Sequence, residues 1–68
     1  MTIREKTLRF NPNAVVREVN IYSKKKNKVI YTGRISTIPG FLLNRNYESC
    51  SVVPSHQNTH WRDVIFWI

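Results

Sequence analysis

The sequence predicts an α+β domain: a small, mostly antiparallel β-sheet in the order β-β-α-β-β, with room for an extra N-terminal strand and one short helix on a face. Three features carry this prediction. Apolar and polar residues alternate over residues 14–22 and 29–35, the period of half-buried strands. The period changes once, over residues 37–43. Alternation then returns over residues 47–53 and 61–68.

At the N-terminus, Leu8 and Phe10 lie two apart, the spacing of a short strand, and Asn11-Pro12-Asn13 then interrupts the pattern, because proline fixes its own φ and keeps its predecessor out of the helical region. Residues 1–12 are therefore expected as a loosely attached arm or an edge strand of a single domain spanning 1–68. In the next strand Val15, Val19 and Ile21 are expected on one face and Glu18 and Asn20 on the other. Ser23-Lys24-Lys25-Lys26-Asn27-Lys28 contains no apolar residue, so it makes the tip of a hairpin whose second strand aligns Val29, Tyr31 and Ile35.

Ser36 or Thr37 is a candidate helix cap, Pro39 suits a first turn, and Phe41, Leu42 and Leu43 supply an apolar side, so a helix of two turns at most is expected there. Gly40 weakens it. The next strand stops at Pro54, and a polar loop carrying His56 and His60 leads to the most apolar strand of the chain. That strand divides into Trp61, Asp63, Ile65 and Trp67 on one face and Arg62, Val64, Phe66 and Ile68 on the other, so its end asks for cover on both sides.

The chain has 68 residues, enough for one core, and 41 % of them are apolar, which sets it apart from highly charged disordered chains. Cys50 is the only cysteine, so no internal disulfide can form and a cytoplasmic setting is expected. No export signal is expected in the first ten residues. The longest apolar run, Val64 to Ile68, is far short of the ~20 residues of a membrane-spanning helix, so no membrane association is expected.

Charge is the strongest functional signal. The net charge is +7, and residues 1–34 hold nine of the eleven Lys and Arg against two acids, while residues 35–68 hold two against two. A one-sided positive field attracts polyanions. Lys24, Lys25, Lys26 and Lys28 on the hairpin tip, with Arg17 and Arg34 on its strands, are candidates for nucleic-acid or other anion binding, each phosphate contact releasing condensed counterions. Tyr22 and Tyr31 flank the tip as candidates for stacking on unpaired bases.

Other constellations are weaker. Cys50, His56, His60 and Asp63 can each ligate a metal, but a structural zinc site shows paired cysteines, so no metal or cofactor is expected. Cys50 with either histidine makes a poor nucleophile–base pair, the acids Glu5, Glu18, Glu48 and Asp63 are scattered, and no catalytic residue is assigned. Trp61, Phe66 and Trp67 are candidates for a partner interface, since so short a chain divides its aromatics between its core and whatever it binds. Two functions follow. The first is a small, non-enzymatic basic protein that contacts nucleic-acid phosphates through its lysine-rich hairpin. The alternative is a small inhibitor or assembly factor, of the sort phages and mobile elements encode, that binds an acidic protein surface. Homo-oligomerisation is compatible with either.

Overall fold

A computed structural model of the chain describes residues 1–10, 15–55 and 61–68, without the side chains of Val15 and Arg17. The elements follow in the order α1 (Ile3–Thr7), β1 (Val15–Ser23), β2 (Lys28–Gly33), a 3-10 turn (Ile35–Thr37), α2 (Gly40–Leu43), β3 (Ser49–Pro54) and β4 (Trp61–Trp67). This is the α+β class that the alternating segments and the single change of period predict. The turn expected over Asn11-Pro12-Asn13 and the loop carrying His56 and His60 lie outside the described residues.

The strands form one sheet in the order β2-β1-β4-β3. The two hairpins, β1–β2 and β3–β4, are antiparallel, and they join through a parallel pairing of β1 with β4. The core sits on one face of this junction. Val19 stands opposite Val64 and Ile21 opposite Phe66, and all four are buried. Ile3 from α1, Ile38, and Leu42 from α2 close over them. Burial of each such side chain contributes about 1.5–3 kcal/mol, which in a domain this small makes each one a substantial fraction of net stability.

Two register shifts change which residues face the core. Between Val16 and Glu18 the β1–β4 ladder slips by one residue, so Val16 packs against the core although it is out of phase with Val19 and Ile21. Between Ile21 and Tyr22 the β1–β2 ladder skips Ile30: Tyr31 stands opposite Ile21, and Val29 opposite Tyr22. Ile30 consequently packs against the core and Val29 is half exposed, whereas strict alternation aligns Val29 with Tyr31. A one-residue bulge reverses the parity of everything beyond it. Gly33 serves the same hairpin, because a Cβ there would lie 2.6 Å from the Tyr31 hydroxyl oxygen.

The N-terminal segment differs from its expectation. The short strand expected around Leu8 and Phe10 is replaced by the end of α1 and the turn after it, and Leu8 is the C-cap. The Thr2 hydroxyl accepts a hydrogen bond from the Glu5 N–H (3.2 Å), and the Glu5 carboxylate accepts one from the Thr2 N–H (3.0 Å), a reciprocal cap that starts the helix. The segment is also firmly attached. Ile3 is fully buried, its N–H donates to the Arg45 carbonyl (3.0 Å), and Thr2 forms an isolated antiparallel bridge with Asn46.

The helix expected over residues 37–43 is confined to four residues. Pro39 is the N-cap, with φ −58° and ψ 144°, so the chain is still extended there and the helix begins at Gly40. Thr37 does not cap it. Its hydroxyl donates to the Arg34 carbonyl (3.1 Å) within the 3-10 turn.

The attachment of α1 predicts that Ile3→Ala costs about 2–5 kcal/mol, the usual range for truncating a buried isoleucine. Thermal or urea unfolding measures it. A loss below about 0.5 kcal/mol, the range of surface substitutions, would mean that the N-terminal segment is not part of the core.

Candidate functional site

The hairpin tip is built around Ser23, which is buried at the end of β1 and whose hydroxyl accepts a hydrogen bond from the Lys26 N–H (3.2 Å). Asn27 takes a positive φ of 54°, a conformation asparagine tolerates better than most residues, and its side-chain oxygen accepts the Tyr22 hydroxyl. The tip is thus a defined turn that holds its lysines in different directions. Lys24 points to Glu48, with Nζ to Oε2 at 2.7 Å, while its N–H donates to the Ile68 carbonyl (3.0 Å). Both ends of that ion pair are more than half exposed, so it adds little stability.

Lys25 and Lys26 instead line a groove of about 490 Å³ between the hairpin tip and α2. Ser23, Ile30, Leu42 and Ile68 also line it, together with Phe41 and Arg45. Among the described residues the groove therefore has aliphatic walls and three cations, and no Asp or Glu side chain lines it. Arg45 is positioned through its backbone: its N–H donates to the Leu42 carbonyl and its own carbonyl accepts the Ile3 N–H, each at 3.0 Å. Arg4 of α1 extends the positive field beside it, since its Nε donates to Asn44 Oδ1 (3.3 Å).

The remaining candidates are spread over the sheet. Lys28 is exposed and stands opposite Ser23, but does not line the groove. Arg34 follows the far end of β2, about 20 Å from the tip by the rise of a strand. The side chain of Arg17 lies outside the described residues. Tyr31 shares the core face with Ile21, and its hydroxyl is held by the Arg34 carbonyl (2.7 Å) and Thr37 Oγ1 (2.6 Å). Tyr22, next to Ile21 in β1, faces the other side. The two tyrosines thus lie on opposite faces of the sheet and make no common stacking platform.

That other face is covered by no described helix. Trp61, Asp63, Ile65 and Trp67 lie on it, all half-buried, opposite Glu18, Asn20 and Tyr22 of β1 along the ladder. Glu18 and Asp63 stand opposite each other, and Asp63 Oδ1 is buried without a hydrogen-bond partner. Phe66 cannot join Trp61 and Trp67 in an interface. It is fully buried on the core face, edge-on to Tyr47 at 5.1 Å.

Compared with protein-family models, curated proteins and solved structures, the chain matches none.

Two residues of the groove escape sequence reasoning. Arg45 sits in the half with no excess charge, and Phe41 reads as part of the apolar side of a helix, yet Phe41 is 73 % exposed. Among the described residues no three His, Cys, Asp or Glu side chains gather as a metal site, and His56 and His60 are outside them. No described helix is long and apolar enough to cross a membrane.

Cys50 stands opposite Phe66 and packs against the core. Burial pushes its thiol pKa up, opposed in part by the charge of Lys6. Since the thiolate is the reactive species, native-state alkylation at neutral pH is expected to be several-fold slower than that of an unstructured peptide thiol, and to accelerate only above the ordinary thiol range. Alkylation at the peptide rate would contradict this placement of Cys50.

Proposed function

We propose that the protein is a small basic binding protein that engages nucleic-acid phosphates through its lysine-rich hairpin and the adjoining groove. One observation carries the reading: cations from two separate segments, Lys25 and Lys26 on the hairpin and Arg45 after α2, converge on a groove with no described Asp or Glu side chain in its lining. Convergence of this kind concentrates positive potential, because no described Asp or Glu side chain lies among the three cations. The groove offers cations and hydrocarbon, a composition suited to holding an anion rather than to acid–base or nucleophilic chemistry.

The distribution of acids favours this reading over a protein inhibitor or assembly factor that covers an acidic surface. That alternative draws on the cations and the tryptophans together. Trp61 and Trp67 instead share their face with Glu18 and Asp63, while the groove opens on the side of α2.

Replacing Lys25, Lys26 and Arg45 together by glutamine is expected to weaken binding to nucleic acid strongly at low salt and to flatten the log–log salt dependence by about 2–3, at about 0.9 per contact on duplex and 0.7 on single strands. Unfolding should be nearly unchanged, since all three side chains are exposed. Arg34→Gln, at the far end of the hairpin, is expected to change the slope little. A triple variant that binds as the parent does across a salt titration would remove the groove from the reading.

A further inference from the structure

We propose that the groove receives an unpaired base of a single-stranded nucleic acid against Phe41, with the neighbouring phosphates on Lys25, Lys26 and Arg45. The inference rests on the phosphate-binding reading above and names its substrate class.

Phe41 is the first observation. A phenylalanine on a one-turn helix packed over a core is expected to face inward, yet this one is 73 % exposed while its neighbour Leu42 takes the buried position. An exposed aromatic ring gives up the burial that would stabilise the fold and keeps its π-face available. Its place is the second observation, because the ring lines the same groove as the three cations. Aromatic rings beside a positively charged track are the means by which proteins hold single strands without reading sequence: the bases stack and the phosphates are neutralised.

Shape is the third. About 490 Å³ walled by Ile30, Leu42 and Ile68 is the size of a small-ligand site, room for one splayed nucleotide. In a duplex the base faces are covered by their neighbours, so Phe41 has nothing to stack on, whereas an unpaired base is free to enter. The tyrosines flanking the tip are not alternatives, since neither lines the groove and their rings lie on opposite faces.

The test measures binding of the full chain by fluorescence anisotropy at one fixed salt concentration. The probes are single-stranded RNA and DNA of about a dozen nucleotides and the duplex of the same DNA, with vesicles containing phosphatidylserine as a further arm. The parent is compared with Phe41→Ala and Phe41→Trp after confirming that the melting temperature is unchanged. The expected result is preference for the single strands, a loss of about 5- to 150-fold for Phe41→Ala on single strands alone, and retention of affinity by Phe41→Trp. Equal binding of single strand and duplex with no effect of Phe41→Ala would overturn the base-stacking inference and leave the phosphate reading standing. Binding to the vesicles but to no nucleic acid, or to none of the probes, would overturn both.

Discussion

The parallel pairing of β1 with β4 is the constraint on which the rest of the molecule depends. Each hairpin alone is marginal, because two strands cannot bury a face of their own. Side by side, β1 and β4 bring Val19 against Val64 and Ile21 against Phe66, and the helices have a surface to close over. This pairing joins segments far apart in the chain, so ordering the intervening residues costs entropy that the buried junction must offset. The same ladder builds the groove. Where the two strands end, the Ile68 N–H donates to the Tyr22 carbonyl (2.9 Å) and the Lys24 N–H to the Ile68 carbonyl (3.0 Å), which fixes Ile68 beside the hairpin tip as one wall. The ladder supplies one side of the groove, and α2 with Arg45 supplies the other.

The described helices cover one face of the sheet, and the charges divide accordingly. The helical side carries Arg4 on α1 and Arg45 after α2, and the groove opens there with Lys25 and Lys26. On the opposite side Glu18 and Asp63 stand together, with Glu18 accepting a hydrogen bond from Asn20 Nδ2 (3.2 Å). The other acids are engaged locally, Glu5 in the cap of α1 and Glu48 with Lys24. Four of the cations, Arg4, Lys25, Lys26 and Arg45, thus lie on the side away from Glu18 and Asp63, and net charge alone does not reveal that placement.

Strands were legible wherever a period of two ran unbroken, as in β4, whose division into a Val64/Phe66 face and a Trp61/Trp67 face follows from parity. Bulges defeat that reasoning. Ile30 and Val29 exchange roles because a single skipped residue reverses the faces, and nothing in Lys28-Val29-Ile30-Tyr31 marks the skip. Thr2 followed three residues later by Glu5 has the spacing of the cap that starts the N-terminal helix, and the reading from Leu8 and Phe10 alone passed over it. The lysines of the tip were visible as a cluster, but which of them face one groove depends on the turn at Asn27 and on the Lys24–Glu48 pair. Arg45 and Phe41 join Lys25 and Lys26 only through tertiary contacts, so no local pattern discloses them.

The most direct test of the account follows backbone amide resonances of isotope-labelled protein while a short single-stranded oligonucleotide is added. If the ladder between β1 and β4 presents the groove as the binding surface, the amides of Lys25, Lys26, Ile30, Phe41, Arg45 and Ile68 shift together and saturably. The amides of Asn20, Thr32, Ile65 and Trp67, which belong to the opposite face, stay in place. Shifts concentrated on Asn20, Ile65 and Trp67 with the groove unmoved would contradict the account.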